Sequence, residues 1–120
     1  MNLELQAASK TIVSKAIFPS TTNHYDTLFG GVLMQWMDEV AFICATRYTR
    51  KKMVTVSSDQ IDFEKPIPAG TICEMVAQVA SVGNRSIRVC VQVYLEQMYE
   101  SGRELAVTGY FTLVSLKEER

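Results

Sequence analysis

The segment GGVLMQWMDEVAFICATRY, residues 30–48, constrains the fold more than any other stretch of this chain. From Val32 onward it is apolar on nearly every side. Yet it opens on Gly30 and Gly31, which are poor helix formers, and carries Asp38 and Glu39 at its centre. It reads as one long helix, closed by the cationic run RYTRKK, which suits the negative end of a helix dipole. Phosphate binding is the other use such a cluster has. A helix of about 19 residues is about 28 Å long. An apolar girdle on all sides must be covered on all sides. One flat sheet covers a single face. A strongly curved antiparallel sheet covers more, and a second copy of the molecule covers the rest. The helix therefore predicts an obligate dimer, with sheets joined edge to edge or helices facing each other.

The remaining sequence reads as about five strands in one domain spanning residues 1–120. Residues 10–18, KTIVSKAIF, form a short β-branched strand that Pro19 ends, and PSTTNHYDT is a loop of turn formers. Residues 54–67 are strand-like but change phase: Val54 and Val56 lie on one parity, Ile61 and Phe63 on the other. A bulge near residues 57–60 reconciles them. Pro66, Pro68 and Gly70 mark a turn. Residues 71–82 alternate loosely. Residues 86–97 alternate cleanly, with Ile87, Val89, Val91, Val93 and Leu95 on one face. Gly83–Asn84 is a hairpin signal between these two strands, and Gly102 marks a turn before the last strand, residues 104–116. Four strands joined by short turns imply antiparallel neighbours.

Charge and composition exclude several functions. A net charge of −1 and a pI of about 5.8 argue against broad nucleic-acid binding. MNLELQAASK has no apolar core behind a basic start, as a secretory signal would. Asp38, Glu39 and Arg47 interrupt the longest apolar run, so no membrane partner is expected. Cys44, Cys73 and Cys90 are far apart and odd in number, and there is one histidine. That disfavours a zinc site or a disulfide framework and suggests buried thiols in a reducing cytoplasm.

Three blocks then stand out: N-x-x-x-x-x-F-G-G followed by W-M-D-E; V-T-V-S-S-D-x-I-D-F-x-x-P-I; and S-V-G-N-R-S-I. Together, and in this order, they resemble the hotdog-fold acyl-CoA thioesterases over residues 12–116. The resemblance implies an α+β hotdog fold, a curved antiparallel sheet of about five strands around one long helix. It implies hydrolysis of fatty acyl-CoA to fatty acid and CoA. It implies no metal and no cofactor, CoA being part of the substrate. It implies a homodimer assembled into tetramers or hexamers. One departure is Asp26, where members often carry glycine; an aspartate there either adds charge near the expected acyl-CoA entrance or caps a short turn through residues 27–29.

The chemistry needs an acceptor for a developing oxyanion and a base. Unpaired N–H groups at a helix start can bind an oxyanion, and Gly30 and Gly31 lack the Cβ that would hold a substrate off the backbone. A tight loop-to-helix transition is the plainer use of the pair. A carboxylate within an apolar helix is costly unless paired or solvated, which makes Asp38 a candidate base or nucleophile. Asp38 lies about 10 Å along the helix from Gly31, so one subunit cannot bring both to one thioester, whereas two antiparallel helices can. By resemblance, Asp38 of one chain faces the glycine-led helix start of the other, with Asn23 orienting water or the carbonyl. Also by resemblance, the hairpin places Gly83, Arg85 and Ser86 near the CoA nucleotide, while Val54, Thr55 and Val56 line a pantetheine channel. Glu39 points about 100° away from Asp38 and reads as a polar group at a sheet edge or interface. Trp36, Met34, Met37 and Phe42 read as core or dimer interface. His24 reads as a surface or packing residue. No serine, threonine or cysteine has a histidine at a recognisable spacing, so a Ser–His or Cys–His nucleophile is rejected.

Two other functions compete. A hotdog dehydratase needs a histidine paired with a carboxylate, and His24 precedes the helix. A non-catalytic acyl-CoA sensor is separated by Asp38→Asn, which should spare binding and abolish turnover.

Overall fold

The computed structural model describes residues 9–117. The stretch in which a signal sequence was not found lies, through Ala8, outside those residues. The elements are β1 (Thr11–Ala16), a 3-10 turn (Pro19–Thr21), α1 (Gly30–Thr49), β2 (Met53–Phe63), β3 (Thr71–Val82), β4 (Ser86–Gln97) and β5 (Arg103–Ser115). The strands form one antiparallel sheet in the order β1-β3-β4-β5-β2. α1 packs against all five of them. This is the hotdog architecture.

α1 begins where Phe29 is still extended and ends at Arg50, whose left-handed φ of 56° lets its N–H bond the Thr46 carbonyl at 2.6 Å. Leu33, Met37, Val40, Ala41, Cys44 and Ala45 are buried. They recur at helical spacing and form a single stripe against the sheet. Their partners on β4 are Ile87, Val89, Val91, Val93 and Leu95, all buried as the alternation predicts. Met37 sits deepest over Gly109 of β5, where an added Cβ would lie 2.9 Å from its Cε. Glycine there lets helix and sheet approach closely. A Met37→Ala change would leave a void costing about 2–5 kcal/mol. Phe42 and Ile43, on the other side of α1, and Met34, near its start, are exposed in the single chain. One sheet thus leaves part of the apolar girdle uncovered, as the sequence requires if a second copy is to complete it. Of the aromatic and methionine side chains expected in core or interface, Met37 is core and Trp36 half-buried.

Two expectations are corrected. β2 and β3 are not neighbours: β2 pairs with β5 at the opposite edge from β1. The connection after Phe63 is long enough to cross, and it is tied down where Glu64 and Lys65 N–H groups meet the Ala106 carbonyl. β2 also has two register shifts, not one. Thr55 opposes Leu113 but Ser57 opposes Thr112, and Asp59 opposes Tyr110 but Asp62 opposes Thr108. Each shift inserts one residue, so the two cancel in parity. Thr55 and Phe63, opposite the buried Leu113 and Val107, therefore both face the helix. Val56 is the extra residue of the first shift and is exposed. Between the shifts, Arg88 of β4 clamps the strand, bonding Asp59 at 3.2 Å and Gln60 at 2.9 Å while its guanidinium stacks on Tyr110.

Candidate active site

Asp38 emerges from the middle of α1 half-buried, between apolar neighbours. Thr55 meets it: the Thr55 hydroxyl donates to Asp38 Oδ1 at 2.6 Å. A charged acceptor makes this one of the stronger classes of hydrogen bond, and it fixes the carboxylate rotamer. Oδ2 has no protein partner among the described residues. Asp38, Val54, Thr55 and Glu39 border an open hollow of about 610 Å³ that also takes in exposed Phe42 and Ile43. Thr55 was expected to offer only backbone to a pantetheine channel. Its hydroxyl belongs instead to the carboxylate, a role no local sequence signal announces because the pairing spans the helix-to-strand connection.

The helix start is a separate place. The first intrahelical bond runs from the Leu33 N–H to the Phe29 carbonyl at 3.0 Å, so the N–H groups of Gly30, Gly31 and Val32 lie ahead of it. A Cβ on Gly31 would meet nothing within 4 Å, and one on Gly30 would meet only the Phe63 ring at 3.8 Å. The glycines are thus not demanded by crowding: they leave the donors open to solvent. Gly30 borders a cavity of about 270 Å³ that does not include Asp38. Within one chain the carboxylate and the helix start serve different hollows, as the rise per residue requires.

Asn23 organises the loop before α1. Its Oδ1 accepts from Tyr25 N–H at 2.9 Å, Thr27 N–H at 3.2 Å and the Thr27 hydroxyl at 3.0 Å. The oxygen is saturated within the loop, so the amide can only present Nδ2–H outward. Asn23 can therefore donate to a carbonyl but not accept from a water. Asp26 sits in this loop at φ 60°, and its N–H bonds the Asn23 carbonyl. That is the left-handed region where glycine is unstrained. The expectation that Asp26 caps residues 27–29 is corrected: the capping side chain is Asn23, and helix start Phe29 has no side-chain cap. His24 is exposed and stacks on Tyr25, with ring centroids 3.9 Å apart.

At the β3–β4 hairpin, Gly83 has an ordinary φ, and its contribution is room, since a Cβ would press on Ser86 Oγ. Arg85 donates to the Ser115 carbonyl at 2.8 Å, which holds the hairpin against the end of β5. Lys51 and Lys117 join Arg85 around one hollow of about 330 Å³, two cations that sequence spacing did not connect to the hairpin. Val56 borders none of these hollows. Cys44 and Cys73 are buried, and burial pushes their thiols up to about 11 and about 12, far from thiolate nucleophiles. Cys90 is only half-buried, which corrects the reading of three buried thiols. Among the described residues no cluster of ligating side chains could hold a metal, and no helix is long and apolar enough to cross a membrane.

A family model described as the thioesterase superfamily matches residues 25–101. An uncharacterized acyl-CoA thioester hydrolase of Bacillus subtilis is 41% identical over 108 residues, covering 90% of this chain and 63% of its own. This chain thus spans less than two thirds of that relative's length. An acyl-CoA hydrolase of Staphylococcus aureus, solved with butyryl coenzyme A and coenzyme A, superposes with a TM-score of 0.90 at 38% identity, over 94% of this chain and 69% of that one. Variants of it with an aspartate, a threonine or an asparagine changed to alanine have the same likeness. A hexameric acyl-CoA thioesterase superposes with a TM-score of 0.89 at 30% identity, over 94% of this chain and 72% of that one.

Proposed function

This chain belongs to the thioesterase superfamily, and we propose that it hydrolyses acyl-CoA thioesters to a fatty acid and CoA at sites shared between two copies. The observation that carries the reading is Asp38, a carboxylate set in an apolar helix, oriented by Thr55 and left with one oxygen facing an open hollow. In the antiparallel dimer, Asp38 of one copy lies opposite the helix start and Asn23 loop of the other. The thioester carbonyl would rest on the N–H groups of Gly30 and Gly31 and on Asn23 Nδ2–H. These donors are fixed before the substrate arrives, so they stabilise the oxyanion without reorganising. Asp38 then either removes a proton from a water that attacks the carbonyl, or attacks directly to give an anhydride that water hydrolyses to the fatty acid and free Asp38. In both routes the C–S bond breaks and the CoA thiolate leaves and takes up a proton. Lys51, Arg85 and Lys117, with Ser86, would meet the CoA phosphates, and Val54 would border the channel toward them. No cofactor takes part.

Two further observations support this. The alanine variants of the Staphylococcus aureus enzyme replace residues spaced along that chain as Asn23, Asp38 and Thr55 are along this one. The exposed Met34, Phe42 and Ile43 give a second copy an apolar surface to cover. A hexameric relative makes assembly of dimers into hexamers the expected state. The dehydratase reading loses its histidine, because His24 is held at the surface on Tyr25.

The test is thiol release from acyl-CoAs running from acetyl to palmitoyl, with wild type beside Asp38→Asn. Release by the wild type and a loss of at least a hundredfold in the variant is expected. Release that persists in Asp38→Asn would remove the carboxylate from the mechanism. The shared site has its own test. Asn23→Ala and Asp38→Ala chains, each inactive, should regain part of the activity when mixed. An inactive mixture with proven subunit exchange would place each site within one chain.

A further inference from the structure

The cavity beside Gly30 takes no part in the reaction as described, yet it opens at the place proposed for the thioester carbonyl. Its floor is Leu33, Ile67 and Val107, all buried and built into the core. Such a floor cannot retreat without creating voids or strain. One wall differs. Phe63, the last residue of β2, is 53% exposed, and its ring lies 3.8 Å from where a Gly30 Cβ would be. It faces the helix in phase with Thr55, because the two register shifts of β2 cancel. The rim beyond it is polar, where Lys65 pairs with Glu104 at 2.5 Å.

From this geometry we infer that the cavity holds the acyl chain and that Phe63 sets how long that chain can be. The inference rests on the thioesterase reading. The hollow, about 270 Å³ and open on one side, takes a hydrocarbon chain up to the point where it meets the floor. A longer chain meets a floor that does not yield and is turned toward the Phe63 ring. The apolar floor of Leu33, Ile67 and Val107 suits a hydrocarbon chain, while Thr27, Glu64 and Lys65 also line the hollow.

The experiment compares kcat/KM across acyl-CoAs of two to sixteen carbons for wild type, Phe63→Ala and Phe63→Trp. Phe63 is half exposed, so neither variant threatens the core. Phe63→Ala should move the preferred length up by two or more carbons, read as a rise in the ratio of long-ester to short-ester kcat/KM whatever the absolute rates. Phe63→Trp should move it down. A merely structural residue would lower every length alike, and that uniform loss overturns the proposal. So does an active enzyme whose profile stays in place in both variants; the thioesterase reading then survives alone. A wild type that releases thiol from no ester in the series overturns both.

Discussion

Thr55 of β2 gives its hydroxyl hydrogen to Asp38 of α1 across 2.6 Å, so a strand residue sets the orientation of the helix carboxylate. An aspartate alone on a helix samples several rotamers, each placing its oxygens differently. Tied at Oδ1, it presents Oδ2 in one direction. Under the proposed function, the arrangement divides the labour between the two oxygens, one for structure and one for chemistry.

Removing that donor tests the division. Thr55→Val keeps the shape and loses the hydroxyl, while Thr55→Ser keeps the hydroxyl. A hydrogen bond to a charged group is worth about 1.5–3 kcal/mol, which corresponds to roughly 10- to 150-fold in rate if its loss is felt in the transition state. Steady-state thiol release should show Thr55→Val reduced in that range with KM little changed, and Thr55→Ser within several-fold of wild type. Equal activity of Thr55→Val and wild type would mean that Asp38 needs no such tether.

Asn23 separates binding a loop from binding a substrate. Asn23→Asp preserves the acceptor for Tyr25 and Thr27 but replaces the outward N–H donor with an oxygen. Thermal melting of this variant should stay near wild type, with turnover reduced at least a hundredfold. Asn23→Ala should lose both turnover and about 1–2 kcal/mol of stability, through the freed loop N–H groups. An active Asn23→Asp would exclude the amide as an oxyanion donor.

Asp26 stands in the left-handed region at φ 60°. Asp26→Gly should raise stability, with relief of up to about 1 kcal/mol partly offset by glycine's greater freedom when unfolded. Asp26→Val, which is β-branched, should lower it by more than that. Urea titration of the three proteins orders them directly, and a Val variant as stable as wild type would contradict the backbone conformation.

The buried thiols give an alkaline limit. Burial raises Cys44 to about 11 from the ordinary value of 9.0. The folded state therefore keeps the proton that the unfolded state releases above pH 9. Below that pH the thiol is neutral in both states and contributes no slope. Stability should fall as pH rises from 9 toward 11, by about 1 kcal/mol at pH 10 from this group. Cys73 acts in the same direction. Urea midpoints at pH 8 and pH 10 should drop less in Cys44→Ala than in wild type. An equal drop would assign the alkaline sensitivity to other groups.

How far the sequence could be read depended on the range of the physics. The helix, the β4 face and the Gly102 turn follow from local periodicity and backbone preference, and they lie where local reading puts them. Asp38 was conspicuous because a carboxylate in an apolar girdle is expensive, and Gly30 and Gly31 because they begin a helix. Thr55 was harder to place. Its partner is on another element, and a single bulge would have turned it away from the helix. The second register shift leaves no mark in the hydrophobic pattern, because exposed polar residues occupy the segment between. Asn23's conversion into a pure donor likewise depends on three hydrogen bonds that only the folded loop supplies. The candidate site residues outside Asp38 and the glycines were named only through family likeness.

The paired insertions in β2 also bear on how such a chain can change over generations. A strand in regular pairing transmits every one-residue insertion or deletion to its far end, turning all later side chains over. Here the fault is introduced and repaired within the strand, and the stretch between is exposed, paired to β5 and clamped by Arg88. Mutation can therefore rewrite that stretch while Thr55 and Phe63 stay in phase with the helix. A length change that removes one insertion and leaves the other would break one contact and spare its counterpart. If the proposed roles hold, the Thr55 end and the Phe63 end of the same strand can drift separately, which is what a lineage needs to acquire new substrates without rebuilding its chemistry.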